Sequence, residues 1–230
     1  MPNIVSWNIW CVPVIGGCPA NHVRKVARFA HRLAQMADVV CFNECFTKNV
    51  RSEIMRSLPA RWKSTPVRKR GMLGTVGSGV LVAWNSDVFE KDQRVHVMEF
   101  TQCCQLDCFA AKACVHVSLV HRESGRHFHI LGAHLQSFEI PILCRGVREA
   151  QAAVVRDFRL KLCKRGNIHA EDDDAIVLAG DFNEDPSRRL SRILGMHHVR
   201  CADARHRTAF KGCVNMANAE SCGVSIHCCL

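Results

Sequence analysis

Asp181 and Asn183 close the segment "IVLAGDFNEDP" (176–186), where an apolar run ends in a carboxylate and a carboxamide two residues apart. Side chains at i and i+2 of an extended chain share a face. Both groups should therefore address one spot at a strand end, where loops commonly carry chemistry. The plainer reading of the same residues is a polar turn ahead of Pro186. Three other strand ends look alike: Asn8 closes "IVSWN", Glu44 closes "VVCFNE" and His134 closes "HILGAHL". A hard divalent cation such as Mg²⁺ prefers one or two carboxylates with carbonyl oxygens and water, and Glu44, helped by Asn8, could supply that. The remaining groups are of the kind that hold a phosphodiester and its attacking water in metal-assisted hydrolysis. Taken singly, Asn8 also reads as a turn residue, Glu44 as a charge leading into a helix, and His134 as a satisfied core histidine.

The elements that must position these residues follow from periodicity. Residues 3–10 read as a strand. "NHVRKVARFAHRLAQM" places Val23, Val26, Ala27, Ala30, Leu33 and Ala34 at helical spacing opposite a basic face, with Asn21 as the cap. "DVVCFNE" (38–44) is a short buried strand, and a helix runs from about Thr47 to Leu58. "GSGVLVAWN" (77–85) is a strand opened by glycines. "AKACVHVSLVHR" and "RHFHILGAHL" flank "ESG" as a hairpin. Pro141 starts a long helix reaching about Cys163. The strand at 176–181 precedes a short helix, "PSRRLSRILG", closed by Gly195. With no repeat, low-complexity tract or linker, this order predicts one α/β domain over 1–230, sheets inside and helices outside.

The chain has 230 residues, 48% hydrophobic and 23% charged, the composition of a globular protein. No apolar run approaches the ~20 residues a membrane span needs. The apolar N-terminus lacks the basic start of a secretory signal, so the expectation is a cytoplasmic protein, peripheral at membranes if it meets them. The net charge of +10 suggests an anionic partner: nucleic acid, a phospholipid surface or a phosphorylated substrate. The fifteen cysteines show no C-x-x-C and no zinc spacing with histidines. Reduced, buried thiols are expected rather than disulfides.

In order, the segments "SWNIW", "CFNECF", "GSGVLVAWN", "GAHLQS" and "LAGDFNEDP" resemble the signature of the endonuclease/exonuclease/phosphatase superfamily, the deoxyribonuclease-I-like fold. Asn43 stands where that family has Gln before its metal-binding Glu. Within the superfamily, "DCFAAKACVHV" and "AHLQS" followed by "RGVREAQ" (Arg145, Arg148, Gln151) are most similar to neutral sphingomyelinases, with Lys112 at their lysine; "CADARHRTAF" adds Asp203, Ala204, Thr208 and Phe210.

The resemblance implies two packed, mostly antiparallel β-sheets flanked by helices in a four-layer α/β sandwich. It implies a Mg²⁺ site (Mn²⁺ as the substitute) at Glu44 with Asn8 close by. Asp181 and Asn183 would orient water and phosphate, His134 would stabilise phosphoryl charge or assist the leaving group, and Lys112 would bind substrate. The implied reaction is hydrolysis of a phospholipid head-group ester such as sphingomyelin. The alternatives are a nuclease on DNA or RNA, or a non-catalytic binding descendant of the fold. At the C-terminus, Ser225-Ile226-His227 resembles the family's Ser-Asp-His, with Ile226 in place of the aspartate and His227 as the base. Alternatively "VSIHCCL" occupies the place of an earlier strand, and the expectation is then a chain truncated before its base and its last strands, weak or inactive as a hydrolase.

Overall fold

The alternating apolar residues of the first segment form β1 (Asn3–Asn8), followed by α1 (Ala20–Leu33), β2 (Val39–Asn43) and α2 (Lys48–Ser57). Next come β3 (Trp62–Ser64), β4 (Leu81–Asn85), β5 (Phe89–Lys91), β6 (His96–Glu99) and a 3₁₀ turn at Gln105–Phe109. The hairpin of β7 (Ala113–His121) and β8 (His127–His134) leads to α3 (Pro141–Lys164). β9 (Ala175–Asp181), α4 (Arg188–Leu194), β10 (His197–Val199), β11 (Gly212–Ala217) and β12 (Ser225–Cys229) follow. This computed structural model describes residues 2–12, 18–66, 78–92, 94–137, 141–165, 174–183, 188–199, 212–217 and 225–229. Asp185, Pro186 and the stretch holding Asp203, Ala204, Thr208 and Phe210 lie outside the described residues.

Two mixed sheets pack face to face. One runs β12-β1-β2-β4-β3, and the other β10-β11-β9-β8-β7-β5, with β6 also pairing with β7. Parallel pairs occur only at β1/β12, β1/β2 and β8/β9; the other described pairs are antiparallel. The period of two splits each strand between layers. Ile4, Val39, Cys41 and Val82 meet Val117, Ile130, Val177 and Ala179 between the sheets. Val5, Val40 and Phe42 instead face Val23, Val26 and Leu33 of α1 and Ile54 of α2. On the far side Leu131, Ile176 and Leu178 pack under Val155, Phe158 and Leu162 of α3 and Leu190 of α4. Helix, sheet, sheet and helix are the four layers expected.

Local departures have local causes. α1 begins at Ala20, with Pro19 (φ −58°) at its cap position and no side-chain cap. Proline's fixed φ suits that place, and Asn21 falls inside the first turn. Thr47 does cap α2, its hydroxyl accepting from Val50 N at 3.2 Å. Gly195 ends α4 at φ +63°, a left-handed backbone that favours glycine. The cysteine expectation needs correction: Cys103 bonds Cys108 and Cys104 bonds Cys144. Compartment alone guided that reading. The loop before β7 turns on itself, bringing the Cα atoms of Cys103 and Cys108 to 5.1 Å, and packs on the start of α3, bringing those of Cys104 and Cys144 to 5.7 Å, both within disulfide reach. Cys41, Cys45 and Cys114 are buried free thiols, as expected. Among the described residues no helix is long and apolar enough to cross a membrane.

Candidate active site

Register brings the singled-out residues together in two pairs. In the first sheet Asn8 lies level with Asn43, beside which Glu44 leaves β2; in the second His134 lies level with Asp181. Because the sheets stack with these strand ends on the same rim, the pairs meet. Asn8 Nδ2 donates to Glu44 Oε1 and to Asp181 Oδ2, each at 2.9 Å, and so ties one sheet to the other. Its Oδ1 accepts from Trp10 N at 2.9 Å. Asn8 thereby orients both carboxylates.

The "GDFN" segment makes a turn that also brings its polar side chains to the rim. Asp181 Oδ1 accepts from Asn183 N at 2.9 Å, a side-chain-closed turn of the kind Asp favours. That turn places Asn183 at φ +49° and aims its amide inward, where Nδ2 donates to His134 Nε2 and Leu135 O, both at 3.1 Å. Glu44 also sits at positive φ, +62°. Such backbone is uncommon for a long side chain and persists where surrounding structure over-determines it.

The electrostatics of the rim are set by burial. Desolvation raises the Glu44 pKa and nearby Asp181 adds to the shift, while the Asn8 hydrogen bond and Lys112 oppose it. His134 is held well below the ordinary imidazole range by burial and by the Lys112 charge. It is therefore neutral, and because Nε2 accepts from Asn183 its proton resides on Nδ1, buried without a partner among the described residues. Nε2 lies 3.9 Å from Glu44 Oε1.

Lys112 is no ordinary surface lysine. It is 5% exposed, and its Nζ donates to Asp107 Oδ2 at 2.6 Å and Leu135 O at 2.8 Å. Burial lowers its pKa, while Asp107 first, then Glu44 and Asp181, hold the charge in place. Asp107, which the sequence reading did not single out, also accepts from Ser137 N at 2.6 Å. Its signal was available as an acid five residues before Lys112 in the same quoted motif. Behind it, Gln151 Oε1 on α3 accepts from Gln136 N at 2.7 Å, and the Gln136 carboxamide exchanges two 2.9 Å bonds with the Cys104 backbone. The departure at Asn43 leaves the rim untouched, since its side chain turns to Ser6 Oγ at 3.3 Å.

His227 stands apart from this set in register. The backbone of β12 pairs with β1 so that His227 is level with Val5, three residues before Asn8.

The donor set fits a hard cation. Two carboxylates, Glu44 and the buried Asp181, share one amide nitrogen, burial disfavours the charge of Glu44, and oxygen ligands of this kind suit Mg²⁺. A divalent ion beside them would offset the repulsion that burial amplifies.

No curated protein sequence matches the chain. Among solved structures, a β-hairpin deletion mutant of beta toxin from Staphylococcus aureus superposes with a TM-score of 0.71 at 20% identity, covering 94% of this chain and 86% of that one. Sphingomyelinase C from Streptomyces griseocarneus gives 0.71 at 19% identity, with 93% and 83% covered. The catalytic domain of human Nocturnin gives 0.65 at 15%, with 93% and 82% covered. At these identities the likeness is one of fold. Residues 5–218 match the Endonuclease/Exonuclease/phosphatase family as a sequence family, whose members are hydrolases of phosphate esters. With that match over nearly the whole chain, the protein belongs to the Endonuclease/Exonuclease/phosphatase family.

Proposed function

We propose that residues 1–230 act as one divalent-metal-dependent phosphodiesterase domain that hydrolyses a phospholipid head-group ester of the sphingomyelin type. The observation that carries this reading is the single hydrogen-bonded network running Glu44–Asn8–Asp181–Asn183–His134 across two sheets. Mg²⁺ or Mn²⁺, held by Glu44 with Asn8 beside it, would supply charge neutralisation at the phosphoryl oxygens. Asp181 and Asn183 orient the attacking water and the phosphate. Neutral His134, fixed by Asn183, faces the charge that develops there. Two acceptors occupy Lys112 Nζ, leaving one of its three N–H groups and a buried positive charge for the anionic substrate.

A lipid substrate is supported by exposed apolar residues next to this network. Trp10, whose N–H holds Asn8, is 72% exposed, and Phe109, three residues before Lys112, is 57% exposed. Large apolar side chains in water beside a polar site suit an interfacial substrate better than a dissolved one. Similarity in fold to a sphingomyelinase C, and to a beta toxin variant solved with bound magnesium ions (TM-score 0.65, 20% identity, 93% and 82% covered), points the same way. Two disulfides beside the site are bonds that persist in oxidising surroundings. The net charge of +10 is the observation that favours the second reading, a nuclease.

The two are separated by assaying phosphocholine release from sphingomyelin vesicles beside plasmid nicking, both with Mg²⁺. Glu44→Gln keeps shape and loses charge, so calorimetry should show Mg²⁺ and Mn²⁺ binding at this rim abolished with the fold intact. Unchanged affinity would remove Glu44 from the metal site, and nicking without phosphocholine release would make the protein a nuclease.

A further inference from the structure

The far end of the second sheet carries a second constellation, made of residues the catalytic rim does not use. His127 and His129 are two apart on β8 and share its α3-facing side with His116 of β7, while Asp174 immediately precedes β9. One ligand atom each from His127, His129 and Asp174 lie within 4.8 Å of one another. His129 Nε2 and Asp174 Oδ2 are 3.1 Å apart, close to the ~3.4 Å edge of a tetrahedron with ~2.1 Å metal–ligand bonds.

We propose that His127, His129 and Asp174 supply protein ligands, among the described residues, for a transition-metal dication of the Zn²⁺ class. Two imidazoles and one carboxylate select Zn²⁺ over Mg²⁺, which prefers an all-oxygen shell. The ligand types thus separate this site from the one at Glu44.

The surroundings are those of a metal site. The second ring nitrogen of His129 is taken by His116 Nε2 at 3.2 Å, an outer partner that fixes the ligand's ring. Asp92 Oδ2 stands 3.5 Å from His127 Nδ1 on the side where both are about 35–39% exposed, which gives an ion a route in. His116 Nδ1 and Ser118 Oγ, on the same face of β7, are fully buried without partners among the described residues. The site lies seven residues from His134 along β8, roughly 23 Å in a strand. An ion there joins the starts of β8 and β9, the two strands whose other ends carry His134 and Asp181.

The test uses the full chain, stripped of metal, titrated with Zn²⁺ and with Co²⁺ as a spectroscopic stand-in. The expected result is a site that raises the melting temperature and shows cobalt d–d absorption without a thiolate charge-transfer band, which sets it apart from the cysteines. His127 is partly exposed, so His127→Ala should fold by circular dichroism and bind Zn²⁺ at least about 10-fold more weakly, a loss that even outer-shell changes produce. The Glu44→Gln chain should bind unchanged, so failure of the catalytic reading and failure of this one are distinguishable. Equal Zn²⁺ affinity in His127→Ala, a spectrum showing only thiolate-bound cobalt, or no binding at all would overturn the proposal.

Discussion

Replacing Gly180 by Ala should damage stability and site together. Gly180 directly precedes Asp181 and lies level with Ala133, the neighbour of His134. A Cβ at Gly180 would stand 1.7 Å from Ala133 O and 2.8 Å from Ala133 C, where carbon–oxygen contacts between strands fall near ~3.4 Å. Both obstacles are backbone, so no rotamer change relieves them; β8 and β9 must part by roughly 1.5 Å or more to restore that spacing. Overpacking of this severity costs about 3 kcal/mol or more, which in a domain of this size lowers the melting temperature by roughly 6–12 °C. The same movement strains the bond from Leu135 N to Asp181 O, 2.9 Å in the native chain. A ~1 Å misplacement of reacting groups can slow chemistry about 100-fold. Thermal unfolding followed by circular dichroism, beside turnover of the substrate found in the lipid and nucleic-acid panel, reads both effects. A melting temperature within about 2 °C of the unmutated chain would refute the close approach and the reason given for glycine here.

If the proposed roles hold, with both residues facing charge that forms in the transition state, Asp181→Asn and His134→Ala should each lower kcat by about 100-fold or more while KM changes little. A change in KM alone would make them binding residues. Because the His134 pKa is depressed, the ring stays neutral through pH 6–8 and gains its proton only as the pH falls well below the ordinary imidazole range. A rate limb near pH 6.5 that disappears in His134→Ala would contradict this. His227→Ala should leave turnover unchanged, because β12 sets His227 level with Val5, roughly 10 Å short of Asn8 along the strand; lost turnover would identify His227 as the base.

Residues at element ends were the legible part of this chain. The strand-end positions of Asn8, Glu44, His134 and Asp181 depend only on local periodicity, and the structure brings them together; Asn183 joins them through the turn after β9 rather than through an extended i, i+2 spacing. The helix Pro141–Lys164 and the β7/β8 hairpin were readable for the same reason. What could not be read depends on residues far apart in sequence. Gln136 meets the Cys104 backbone thirty-two residues away, and Cys104 meets Cys144 across forty. The three-residue strands Trp62–Ser64 and Phe89–Lys91 are too short for a period to show; pairing with β4 and β7 defines them. Asn8 was expected close to the metal beside Glu44, and only tertiary structure reveals that its amide also reaches Asp181 of the other sheet.

The pairing of β1 with β12 has a consequence for how the chain is made. Asn3–Trp7 leave the ribosome well before their partners at Ser225–Cys229, which follow roughly 220 residues later, a wait of about 10–40 s at ordinary synthesis rates. Throughout that interval the strand carrying Asn8 has one edge filled by β2 and the other open. An open edge is a template for another chain. Its apolar residues Ile4 and Val5, fully covered once the fold is formed, keep that edge hazardous until β12 arrives. Slow synthesis or crowding of nascent chains should therefore favour association through β1, whereas a separately supplied peptide spanning 225–229 would compete for the same edge.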